Sequence, residues 1–501
     1  MSLRVSGLAG RRVGELMSLL LVGCLTLGIF YVTACRSTDG QGGVPLDDAW
    51  IHFQFARNLV RGDGLSFTPG EPTAGSTAPL WTLLLAAVYR MGGSFPVAGQ
   101  VLSGVCFLLA LAATRALSQQ LTGKRWAAWL AGIIVAVNGR FVWAGLSALE
   151  TCLFAALSLV AIGSHLKDRA SGRYRLRTAA LFALAALSRP EGYLLFALSL
   201  SDFVLRAPRT LRGLRRLCLP ALLFAAFVFP YPVFSLCTSG YPLPNTFHAK
   251  ATFDFRPDLD FLSLWARYLI LDNPLLLPFF VLGVGVLLRR ATLVSLWSVG
   301  LPLVYAFLHT VLYQHGRYLM PLIPCHALVG VVGLLEARKL ARRRGWRWAS
   351  LQTSLSIAVL SLLLVAGTAW RLPTMARQYA RNVDEINRVH VALGHWVREH
   401  TPPSALLALN DIGAITYASQ RPVVDLAGLV TPEVVPLLRS PDRASRLIEF
   451  MARRGVDYVV IFPAWFPDLA ESDELEEVYR VTVEERTIIG GETMVVYRTG
   501  W

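Results

Sequence analysis

Residues 17–34 read MSLLLVGCLTLGIFYVTA, eighteen positions without a charge. Wound as a helix rising 1.5 Å per residue, such a run is about 27 Å long, close to the ~30 Å of a bilayer's hydrocarbon core. It is not alone: Leu217–Leu236, Ala291–Leu308 and Leu351–Ala369 have the same character. Over 501 residues, 54% are hydrophobic and only 16% charged, where soluble proteins carry about a quarter. The chain is therefore expected to be a polytopic α-helical membrane protein.

The net charge of +15 at first suggests a nucleic-acid partner, but its distribution argues for none. Basic residues gather in short connections between apolar runs. One group is Lys167, Arg169, Arg173, Arg175 and Arg177; the next is Arg206, Arg209, Arg212, Arg215 and Arg216; the largest is Arg338, Lys339, Arg342, Arg343, Arg344 and Arg347. Positive charge retained on cytoplasmic loops gives this pattern. With Arg11-Arg12 inside, spans are expected near 14–34, 96–117, 126–143, 147–165, 178–189, 191–205, 218–236, 273–288, 291–310, 318–335 and 349–369. All three basic groups, with Lys124-Arg125 and Arg289-Arg290, then fall on the inner face. The count is about eleven spans, with a cytoplasmic N-terminus and a large first external loop over 35–95. In that loop, Ile51–Val60 places apolar residues at helical spacing beside Arg57 and Asn58, the pattern of a helix lying at the membrane interface; Pro79–Tyr89 is a second candidate.

From about Arg371 the composition changes. Charges become frequent and span-length runs stop. Ala405–Leu409, Val456–Ile461 and Thr493–Tyr497 have strand character, and Val383–His400 and Arg443–Arg454 helix character. The division is a transmembrane domain over 1–370 and a small external α/β domain over 371–501. The seven cysteines show neither metal-ligand spacing nor a disulfide framework. Val32–Cys35 resembles a lipoprotein cleavage site, although the preceding run is long enough to stay as a span.

Polar groups of mixed sign collect on the outer face. The first are Asp47-Asp48, immediately before the interfacial helix. An aspartate there can cap a helix, and one suffices. Two adjacent carboxylates repel each other, which is understandable if they bind a cation or if one has a raised pKa and takes a proton. Lys250, with His248 two residues before it, and Arg317, between His315 and Tyr318, lie at the outer edges of spans. They either snorkel to headgroups or bind phosphate. Ser188-Arg189-Pro190-Glu191-Gly192 breaks an apolar region with two opposite charges, which membrane proteins tolerate where backbone lines a cavity or is buried. Glu150 opens another span from outside. No Walker loop, dinucleotide glycine pattern or zinc-type His/Glu spacing is present, so an enzyme here is not expected to use cytoplasmic nucleotide donors, and its donor would have to reach the outer face on a lipid.

These residues resemble a known family. The block Asp47-Asp48-Ala49-Trp50-Ile51 through Arg57-Asn58-Leu59, then Gly62-Asp63-Gly64-Leu65, Phe67, Pro69-Gly70-Glu71 and Leu80-Trp81, is similar to the first external loop of bacterial C-type glycosyltransferases, in the arabinofuranosyltransferase-like and mannosyltransferase-like branch. Ser147–Thr151, Ser188–Gly192, Pro242–Lys250, Arg317–Pro321, Asn410–Ala414 and Asp425–Leu429 agree with it. The resemblance implies an inverting glycosyltransferase that draws on a polyprenyl-phosphate-linked sugar and serves an envelope glycan or lipid acceptor on the outer face of a bacterial inner membrane. It implies Asp47 as general base and Asp48 as its partner. Lys250 and Arg317 would hold the lipid phosphate, and Arg57, Glu150, Arg189, His248, His315 and Tyr318 would contribute to substrate binding. No cofactor is certain; metal dependence varies in that superfamily, and a divalent cation stays open. Thr73–Pro79 departs from the pattern, where an aromatic residue and a carboxylate are expected. A transporter or flippase of a lipid-linked or anionic solute is the alternative, and a catalytically silent scaffold a third.

Overall fold

The computed structural model describes residues 2–206, 211–250, 253–309, 314–344 and 354–501, with side chains over 13–205, 217–247, 253–309, 314–344 and 357–501. It opens with α1 (Ser2–Ser37), then the two helices of the first loop, α2 (Asp47–Arg61) and α3 (Pro79–Arg90). Both were expected as interfacial helices. α4 (Val97–Thr122), α5 (Arg125–Ala136), α6 (Gly139–Gly145), α7 (Thr151–Ser171), α8 (Leu176–Ser188) and α9 (Glu191–Arg206) follow. Next come α10 (Leu211–Val228), α11 (Pro230–Ser239), α12 (Asn245–Lys250), α13 (Leu259–Asp272), α14 (Leu277–Arg290) and α15 (Thr292–Phe307). A 3₁₀ segment, Gln314–Leu322, leads into α16 (Ile323–Arg343).

Among the described residues, four helices are long and apolar enough to cross a membrane, or up to seven if each bent pair is one span. The pairs are α5–α6, bent by 70°, α10–α11 by 40° and α13–α14 by 113°. Each bend has a local cause. Asn138 turns its side chain onto the Phe141 N–H at 3.0 Å and starts α6. Pro230 and Pro232 remove two N–H donors at the head of α11. Asn273 accepts from the N–H groups of Leu275 and Leu276, both at 3.1 Å, and so ends α13.

α16 is the buried axis, packed against α14, α5 and α4. Lipid tails are as apolar as leucine, so helices in a membrane associate through close packing rather than through exclusion of water. Two glycines show this contact. A Cβ on Gly333 would lie 1.7 Å from the Phe279 carbonyl oxygen, and one on Gly283 would lie 2.0 Å from that of Val329. Backbone meets backbone here, and only glycine fits.

After α17 (Ser354–Ala369) the chain continues through α18 (Leu372–Ile386), a π turn at Asn387–Val391 and α19 (Ala392–His400). A five-stranded sheet of order β2-β1-β3-β5-β4 follows. β1 (Leu407–Leu409), β2 (Val423–Asp425) and β3 (Tyr458–Ile461) are parallel; β4 (Leu475–Thr482) and β5 (Thr493–Thr499) add an antiparallel edge. Between them lie α20 (Gly413–Ser419), α21 (Val434–Leu438), α22 (Arg443–Arg454) and α23 (Pro467–Ala470). α22 buries Leu447 and Met451, one turn apart, and gives its other faces to charge. α18 packs on α1 and α6, and α20 on α2, so this α/β part is seated directly on the first loop.

Candidate active site

α2 places the acidic pair in its first turn, and the two side chains take different directions. The residue at the cap position is Leu46, whose side chain has no polar atom to offer. Asp47 caps a different helix. Its Oδ2 accepts the Gly413 N–H and its Oδ1 the Ala414 N–H, both at 2.7 Å, at the start of α20. Free N–H groups at a helix start carry partial positive charge, so a carboxylate suits them. Burial is nevertheless the largest influence on Asp47 and pushes its carboxyl up to about 6. Positive charge on His390 and the two amide bonds oppose that rise, while Asp411 adds to it. Asp411 in turn pairs with His390 Nε2 at 3.0 Å.

Asp48 instead lines a cavity of about 540 Å³. Arg317 Nη2 donates to its Oδ1 at 3.0 Å. The wall continues with Glu150, Arg189 and Glu191. Arg189 Nη1 donates to Glu150 Oε1 at 2.7 Å, while its Nε and Nη2 reach Glu191 Oε1 at 2.9 and 2.7 Å. The Tyr305 hydroxyl donates to the same Glu191 oxygen. Pro190 produces this arrangement, because a residue before proline is driven out of the helical region. Arg189 is extended, with φ −157° and ψ 143°, and its side chain spans the break between α8 and α9. Tyr318 also lines the cavity, with the Arg317 guanidinium 5.2 Å and the Arg189 guanidinium 5.7 Å from its ring centroid.

The rest of the lining is mainly apolar: Leu194, Pro232, Leu243, Phe247, Leu301, Val304 and Leu308 among others. The cavity is thus a polar shelf facing a greasy wall, a shape suited to an amphipathic ligand.

Several expected site residues lie elsewhere. The expectation that Asp47 presents the reacting carboxylate meets a placement in which both of its oxygens are bound to backbone outside the cavity. Arg57 ties α2 to α20: Nη1 donates to the Tyr417 carbonyl at 3.0 Å, Nη2 to Gln54, and the guanidinium stacks on the Tyr417 ring at 4.3 Å. His315 bonds Asn382 Oδ1 at 3.0 Å through Nε2 and rests its ring against Trp143. His248 and Lys250 fall on α12, where their side chains lie outside the described residues.

Two features escaped the sequence reading. His52 lines the cavity and its Nε2 is 3.7 Å from Glu150 Oε2. It follows Asp48 by four residues, the spacing that puts two side chains on one helix face. Burial holds its pKa below the usual histidine value. The other feature is the reach of the α/β part into the site. Asp425 accepts N–H bonds from Ala427 at 2.8 Å and Val430 at 2.9 Å, shaping a loop that sets Leu429 in the cavity wall. The Thr73–Pro79 stretch meets that loop: Thr73 Oγ1 donates to the Val430 carbonyl at 3.3 Å, and Gly75 and Thr77 line the cavity.

Among the described residues, no three His, Cys, Asp or Glu side chains converge as a metal site. In the cavity, Asp48 is paired with Arg317, and Glu150 and Glu191 with Arg189.

ArnT from Cupriavidus metallidurans, bound to undecaprenyl phosphate, superposes with a TM-score of 0.59 at 14% identity, over 95% of this chain and 97% of that one. The oligosaccharyltransferase of Archaeoglobus fulgidus gives 0.59 at 12% identity, over 97% and 74%. Arabinofuranosyltransferase AftD from Mycobacteria gives 0.51 at 15%, over 97% and 40%. The likeness is one of fold: this chain and these three proteins share an architecture. Residues 377–497, in the α/β part, match a family described as a domain of unknown function (DUF8728). No curated protein matches the chain.

Proposed function

We propose that this protein is an inverting glycosyltransferase that moves a sugar from a polyprenyl-phosphate donor to an envelope glycan or lipid acceptor on the outer face of a bacterial inner membrane. The observation that carries the reading is Asp48 on the polar shelf of an otherwise apolar cavity, bonded to Arg317. Such a cavity can take a lipid-linked sugar, with its chain against the apolar wall and its phosphate and sugar at the shelf. The shared fold, and the undecaprenyl phosphate bound by the ArnT of that fold, support it.

Asp48, rather than Asp47, takes the base role in this reading. Its carboxylate removes the proton of the acceptor hydroxyl. The acceptor oxygen bonds to the anomeric carbon, the bond from that carbon to the phosphate oxygen breaks, and polyprenyl phosphate leaves with the electron pair. One displacement inverts the centre. Arg317 offers more N–H donors than its bond to Asp48 uses, and these stabilise charge on the leaving phosphate. Lys250 is assigned to the same phosphate. Glu150, Arg189, His52 and Tyr318 shape the sugar side. Asp47 and Arg57 hold α2 to the α/β part. About eleven spans, a cytoplasmic N-terminus and an external domain over 371–501 complete the reading.

The test is a reconstituted assay with a panel of polyprenyl-phosphate sugars and envelope acceptors. A glycosidic product is the expected result. Movement of labelled lipid across the bilayer with no product from any donor would replace this reading with transport.

A further inference from the structure

Outside the cavity, one hydrophobic surface has no part in the proposed reaction. Residues 253–258 lead into α13. Phe253 is 61% exposed, Phe255 86%, and Leu259, opening α13, 71%. The two rings meet edge-on with centroids 5.1 Å apart. Single exposed apolar residues are ordinary on protein surfaces, but this is a fixed cluster. The Asp254 N–H donates to the Phe307 carbonyl at 3.0 Å and the Asp258 N–H to that of Ala306 at 2.9 Å. His309 Nε2 bonds the Arg256 carbonyl at 2.9 Å, and the Arg256 N–H bonds Asp254 Oδ1 at 3.0 Å. The rings are therefore carried on a braced loop.

The brace attaches to the end of α15, whose Leu301, Val304 and Tyr305 form part of the cavity wall. Phe247 lines the cavity and is itself exposed. Val304 and Leu303 on α15 and Ile270 on α13 are exposed as well, as expected of helices that face lipid tails. Aromatic side chains favour the boundary between hydrocarbon and headgroups. Among the described residues 253–260 the charges are Asp254, Asp258 and Asp260 against Arg256, so this stretch carries no net positive charge to attract anionic headgroups. What covers it must be recognised through apolar contact.

We propose that Phe253 and Phe255 insert into the outer leaflet beside the cavity and fix the end of α15 at the depth of the lipid headgroups. This rests on the cavity being at the outer face and not on the chemistry performed there. The test places photoreactive benzoylphenylalanine at position 255 of the full chain in phosphatidylcholine nanodiscs, with Glu449 on α22 as the control position. The expected result is a phospholipid adduct at 255 well above that at 449, with equal yield at low and high salt because the contact is apolar. An adduct yield at 255 no higher than at 449 overturns the proposal. So does a cross-link to this chain or to a second copy in place of lipid. Both readouts are independent of glycosyl transfer, so an inactive preparation leaves the test intact.

Discussion

Asp47 and Gly413, 366 positions apart in sequence, are in backbone contact: the Gly413 N–H donates to Asp47 Oδ2 at 2.7 Å, and a Cβ on Gly413 would lie 2.1 Å from the Asp47 carbonyl oxygen. This contact separates the two aspartates. Asp47 is taken up by the α/β part, and Asp48, one residue on, is left at the cavity.

Gly413→Ala should loosen that seam. A methyl group forced against backbone must push the chains apart, at a cost of about 1–3 kcal/mol. Limited proteolysis in detergent should cut between α17 and β1 sooner than in wild type. An unchanged digestion pattern and melting temperature would show that the contact tolerates a side chain.

Asp47 should make stability depend on pH. Its folded-state pKa of about 6 lies above the ordinary 3.8. Between those values the unfolded chain releases the proton and the folded chain keeps it. Stability from this group is therefore present in acid and falls as pH rises from about 4 to about 6, then levels off. Asp47→Asn should remove that slope from the difference between the two thermal-unfolding profiles. A difference that does not vary with pH would mean that burial does not perturb Asp47.

Arg189 is paired with two largely buried carboxylates, Glu150 and Glu191. Arg189→Met leaves Glu150 and Glu191 facing each other without a cation, which should cost about 3–5 kcal/mol. Replacing both glutamates by Gln in the same chain should recover much of the loss, read as melting temperature in detergent. If the triple variant melts no higher than Arg189→Met, the ion cluster is not what stabilises the break between α8 and α9.

The side of the membrane is testable as well. A reporter fused after Trp370 should report the external compartment. A cytoplasmic signal would show that the count of eleven spans is off by an odd number.

Much of the architecture was legible in the sequence. Hydrocarbon thickness fixes the length of an apolar run, and α2 and α3 showed themselves by helical spacing. The bends were less legible, because Asn138 and Asn273 act by capping and not by breaking the apolar pattern. β4 was missed because as an edge strand it exposes Glu476, Glu477 and Arg480, which hides the alternation. β2 has only three residues. Of the cavity's polar lining, Asp48, Glu150, Arg189 and Arg317 stand out in the sequence because charge is conspicuous among apolar residues. The division of labour between Asp47 and Asp48 does not, since it depends on a partner 366 positions away. His52 was passed over as one more polar residue on an amphipathic helix, although its spacing from Asp48 carried the signal.

The central claim is that Asp48 removes the acceptor proton and Asp47 holds the domain in place. The direct measurement is the single-turnover rate of sugar transfer from a polyprenyl-phosphate donor, with wild type, Asp48→Asn and Asp47→Asn compared in the same lipid. Loss of a general base lowers the rate by about 10²–10⁴-fold. That loss is expected for Asp48→Asn, and for Asp47→Asn a smaller loss that tracks reduced stability. Asp48→Asn retaining wild-type transfer while Asp47→Asn abolishes it would contradict the account.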